Sequence, residues 1–148
     1  MLHKSLYLLI SIIIATFLVV LQTTSSNFIW LSSIDMPVSI ALFFETFFAD
    51  LAGMNAGGEV PLIGLITIGM LLAYSVARVL LMRVTIRKSY IYGFAGAASI
   101  LAIVTLMPLA FYNLDLLAGA RTTTGKVVLV LCGLISGYYF GSKLEEET

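Results

Sequence analysis

The scarcest reactive side chains in this 148-residue chain are one histidine, His3, and one cysteine, Cys132. A hydrolytic triad needs a base beside its nucleophile, and a zinc site needs several Cys or His ligands. His3 lies near the start of the chain, far from any candidate nucleophile. Cys132 falls inside an apolar run, where a thiol is inert. Glu45 and Asp50 offer carboxylates for acid–base work, but no residue pattern around them brings a substrate close. No catalytic residue, cofactor or metal is expected. An enzyme with its site in this acidic loop ranks last among the functional readings.

Residues 118–127 read Ala-Gly-Ala-Arg-Thr-Thr-Thr-Gly-Lys-Val, close in appearance to a phosphate-binding loop. The motif requires four residues between its glycines and a magnesium-binding hydroxyl after its lysine. Here five residues separate Gly119 from Gly125, and Val127 follows Lys126. The motif is rejected. What survives is a cationic pair, Arg121 and Lys126, at the start of a helix, where positive charge opposes the macrodipole. An acidic partner should offset it: Asp115, Glu45, Asp50 or Glu59. A structural ion pair is the expected arrangement, with an anionic ligand or lipid headgroup as the alternative.

The elements that carry these residues are set by composition. Hydrophobic residues make up 60% of the chain and charged residues 11%, with eight basic and eight acidic side chains cancelling. An ordinary soluble domain is about 25% charged, and a nucleic-acid binder needs a basic excess. The expected environment is a lipid bilayer, with no nucleic-acid partner. A spanning helix needs about 20 mostly apolar residues. Four segments qualify: residues 5–22, 61–82, 90–112 and 123–142, the last capped by the Thr122 hydroxyl. The chain therefore reads as one all-α polytopic membrane domain. The first segment is taken as a retained anchor rather than a cleaved leader, since no A-x-A-like site follows it.

Lys and Arg mark the cytoplasmic side of a membrane protein. Lys4, Arg78, Arg83, Arg87, Lys88 and Lys143 fall on one face under four crossings, against Arg121 and Lys126 on the other. Both termini are expected in the cytoplasm, in a bacterial inner membrane. The outer loop, residues 23–60, carries no Lys or Arg. Within it, Asp35-Met36-Pro37 resembles a helix start, and Ile40, Phe43, Phe44, Phe47, Phe48 and Leu51 recur at the spacing of one apolar stripe. Ser39, Thr46 and Asp50 fall opposite. A short interfacial helix over residues 37–52 is expected, either a lid on the bundle or a docking surface for a partner.

Small residues let helices approach closely in lipid. Gly133, Gly137 and Gly141 form such a face on the fourth span, and Gly69, Ala73 and Ala77 on the second, with Gly93 and Ala97 on the third. They serve either contacts within one bundle or a homo-oligomer seam. The first span, nearly all Ile, Leu, Val and Phe, suits the lipid-facing perimeter. No span carries a central charge, so a proton-coupled carrier is disfavoured. The expected function is a non-enzymatic accessory or scaffold subunit with a membrane-protein partner. The alternative is a small oligomeric transporter or channel lined by hydroxyls.

Overall fold

The computed structural model describes residues 2–56, 61–110 and 117–147. Every regular element in them is helical: α1 (Leu2–Ser33), α2 (Ile40–Ala56), α3 (Leu62–Leu81), α4 (Lys88–Ala110), a 3-10 turn η1 (Ala118–Arg121) and α5 (Thr123–Glu146). Four of these, α1, α3, α4 and α5, are long and apolar enough to cross a membrane. They close a ring in which α1 touches α3, α3 touches α4, α4 touches α5, and α5 returns to α1. The short helix α2 lies outside the ring against α1 and α3, and η1 fits between α1 and α5.

Helix α1 differs most from expectation. It runs 32 residues, about 48 Å at about 1.5 Å per residue, and continues through the polar stretch expected to begin a loop. Local bonds permit this: the Ser25 hydroxyl donates to the Leu21 carbonyl at 2.7 Å, and Gln22 donates to Ser26 at 2.9 Å. Helix α1 keeps the expected outward face, with Leu6, Leu9, Ile13 and Phe17 exposed, but it also has a buried one. Ser11, Ala15, Val19, Val20 and Thr24 are fully buried, because small and β-branched side chains at near-helical spacing let three neighbours approach one face.

Asp35-Met36-Pro37 proves to be a stop signal. Asp35 adopts φ 57°, its N–H donates to the Ser32 carbonyl, and the Met36 N–H donates to the Leu31 carbonyl. Those two bonds form a Schellman C-cap, with Asp taking the left-handed position that glycine usually fills. Pro37 follows where proline commonly ends the path of a helix. Helix α2 begins three residues later than expected, capped by the Ser39 hydroxyl on the Leu42 N–H at 3.2 Å.

Its aromatic stripe also splits. Phe47 is buried, in edge contact with Phe17, and Phe43 meets Phe28 in the same way. Ile40, Phe44 and Phe48 turn outward, with Ile40 79% and Phe48 63% exposed. The reason is Asp50, expected on the opposite side. Its carboxylate accepts from the buried Thr24 hydroxyl at 2.7 Å, which rolls the helix toward its polar flank. At the far end of α2, the Asn55 side chain accepts the otherwise orphaned Ile63 N–H at 2.9 Å, joining α2 to the first turn of α3.

The remaining helices match their expected segments to within a few residues. In α5 the Thr122 hydroxyl accepts the Gly125 N–H at 3.0 Å, as its position before the helix implies.

Candidate functional site

The bundle interior contains a polar junction that joins three helices. The Ser11 hydroxyl donates to the Ser136 carbonyl of α5 at 2.8 Å and lies 3.0 Å from the Tyr74 hydroxyl of α3. A serine has one proton to give, so Tyr74 is the donor in the second bond. Tyr74 stacks on Phe140 with ring centroids 4.8 Å apart, and Tyr92 meets both rings edge-on. Sequence patterning alone could not pair Ser11 with residues 63 and 125 positions away.

Most other hydroxyls at depth bond within their own helices. Thr16, Thr67, Ser75 and Thr105 each donate to the carbonyl four residues earlier, the usual arrangement for such residues. The Ser99 and Thr23 hydroxyls are buried without a partner among the described residues.

The glycine faces fall at two different seams. Gly133, Gly137 and Gly141 of α5 all pack against α4. A Cβ added at Gly133 would strike the Gly96 carbonyl oxygen, and one at Gly96 would strike the Gly133 carbonyl. Gly137 meets the Tyr92 carbonyl in the same way, and Gly141 meets Lys88 and Ser89. The two backbones are therefore in mutual contact, with Cα–H groups facing carbonyl oxygens. On α4, Gly96 sits at this seam far more tightly than Gly93, whose nearest contacts would be at 3.5 Å. On α3, a Cβ at Gly69 would stand 2.7 Å from the Ser99 hydroxyl of α4. Gly69 and Ala73 line an outward-facing apolar groove of about 630 Å³ with Ala98 and Ala102. Ala77 instead joins the buried core.

Arg121 lines a cavity of about 770 Å³ between the second half of α1, η1 and the start of α5. Gln22 borders it, with Trp30 and Thr124. Arg121 is exposed and Lys126 half-buried, and neither has a carboxylate within 4 Å among the described residues. Asp50 is bound to Thr24 instead, and Glu45 is exposed on α2. Asp115 and Glu59 lie outside the described residues. Cys132 is buried, and among the described residues no three His, Cys, Asp or Glu side chains gather as a metal site would require.

No protein-family model matches the chain, and neither a curated protein nor a solved structure matches it.

Proposed function

We propose that this chain is an integral membrane protein acting as a non-enzymatic accessory or scaffold subunit. Its four long helices cross a bacterial inner membrane, and both termini lie in the cytoplasm. The observation that carries the docking role is the outward apolar row of α2, Ile40, Phe44 and Phe48. Helix α1 exceeds the about 30 Å of hydrocarbon by more than ten ångströms, which carries part of this surface beyond the acyl chains.

Charge defines the occupant. No Lys or Arg occurs between Lys4 and Arg78, whereas Asp35, Glu45 and Asp50 lie in the α1–α2 unit. Such a face lacks the cations with which interfacial helices grip anionic lipid. It suits a second membrane protein whose outer segment combines apolar and basic residues.

The oligomeric transporter or channel reading draws on the α3–α4 groove, where a second copy could seat a helix against Gly69 and Ala73. The hydroxyls bonded to their own helices give it little support.

Photo-crosslinking amino acids placed at Phe44 and Phe48 in living cells should each yield one discrete adduct with a chain of different sequence. The same probe at Leu131, an exposed apolar position on α5, should yield none. Glu45→Lys should weaken the adducts severalfold. Adducts only at the mass of two copies of this 16.0 kDa chain, or adducts indifferent to Glu45→Lys, would contradict the reading.

A further inference from the structure

Helix α2 offers the bundle two apolar ridges, and the structure uses one of them. Phe43, Phe47 and Leu51 face inward, Phe43 against Phe28, Phe47 against Phe17, and Leu51 against the buried core. Ile40, Phe44 and Phe48 face outward. The ridges meet edge to edge, Phe43 with Phe44 and Phe47 with Phe48, at ring-centroid distances of 5.8 and 5.4 Å. At about 100° per residue they lie about 60° apart around the helix. Each holds two phenylalanines and either a leucine or an isoleucine. Hydrophobic stabilisation scales with the apolar area buried, so it does not choose between them.

One hydrogen bond does. Asp50 lies about 60° from the middle of the inward ridge and about 120° from the middle of the outward one. Its carboxylate therefore reaches α1 only while Phe43, Phe47 and Leu51 face inward. The donor is Thr24, which is fully buried, at 2.7 Å. Ser25, the next residue, gives its proton to the Leu21 carbonyl of its own helix, the usual course for a helical hydroxyl. Thr24 hands its proton across to α2 instead. Bonds to an ionised acceptor are the stronger kind, and a buried donor stripped of its acceptor is costly. The tether at the far end of α2, from the Ile63 N–H to Asn55, is exposed, so water replaces it at little loss when the helix turns.

We infer that α2 is a two-position helix. The Thr24–Asp50 bond latches it with Ile40, Phe44 and Phe48 presented, and release of that bond turns it by about 60° and withdraws the row against α1. As a control on docking, this rests on the partner reading above. The turn itself is measured on the chain alone, so the two fail separately.

In a Cys132→Ala background, Ala41→Cys and Thr46→Cys report the turn without altering either ridge. Ala41 is exposed and Thr46 half-buried, and the turn moves Ala41 toward α1 and Thr46 away from it. The purified full chain in mild detergent, treated with a water-soluble maleimide, should label severalfold faster at position 41 than at position 46. Thr24→Val removes the hydroxyl while keeping the branched shape of the side chain, and should invert that order. Thr24→Ser retains the donor and should leave the order as in the parent. An order unchanged by Thr24→Val, or inverted by Thr24→Ser, would overturn the latch. Equally fast labelling of both positions in Thr24→Val, the mark of a helix that detaches rather than turns, would overturn it as well.

Discussion

Gly133→Leu is expected to unseat α5 from α4 and to lower stability by about 3 kcal/mol, the upper part of the range for overpacking a tight core. The physical reason is that the nearest obstacle is backbone, which cannot yield as the end of a side chain can. The atom nearest a Cβ at position 133 would be the Gly96 carbonyl oxygen, and the Ile100 side chain would also be too close. Moving the backbone by a side chain's width also disturbs Gly137 against Tyr92 and Gly141 against Ser89, since the three glycines share one face. Gly137→Leu should behave alike. Gly93→Ala is the matched control: its nearest contacts are 3.5 Å away, an ordinary packing distance, so its midpoint should barely move. Thermal unfolding in mild detergent, read by circular dichroism, compares the three. A Gly133→Leu protein as stable as the parent would show that the α4–α5 contact does not hold the fold together.

Tyr74→Ala is expected to cost about 3–4 kcal/mol. Removing the ring opens a void of roughly 100 Å³, worth about 2.4 kcal/mol at about 24 cal/mol per Å³. The lost hydrogen bond to Ser11 adds about 0.6–1.7 kcal/mol, the range for interhelical bonds in membranes. Tyr74→Phe keeps the stack on Phe140 and loses only the hydroxyl, so it should cost about 1 kcal/mol. Pairing Tyr74→Phe with Ser11→Ala in a double-mutant cycle isolates that bond. Additive losses would mean that the two hydroxyls do not interact. A Tyr74→Ala loss no greater than that of Tyr74→Phe would show that the aromatic cluster contributes nothing.

The helical architecture is legible in the sequence wherever a long apolar run does the work. Helices α3, α4 and α5 follow from run length, and the start of α5 from Thr122, because burial and capping are local properties of the chain. Reading fails where a tertiary contact overrides a local signal. The polar residues after Gln22 look like a loop, yet their hydroxyls find carbonyls one turn back and Asp50 across the gap, so α1 continues to Ser33. Asp35 carries the chemistry of either end of a helix. Only its left-handed backbone reveals which. Hydrophobicity alone suggested a perimeter position for α1, whereas Ser11 and Ala15 show that small size at a few positions decides which face of the helix turns to its neighbours.

Four bilayer crossings would leave both termini on one side of the membrane. In a Cys132→Ala background, single cysteines placed at Ser32 and at Thr85, both exposed, report the two faces to a membrane-impermeant thiol reagent applied to intact cells. Modification at position 32 and protection at position 85, relieved when the membrane is opened, is the predicted result. Labelling at 85 with protection at 32, or equal labelling of both, would contradict it.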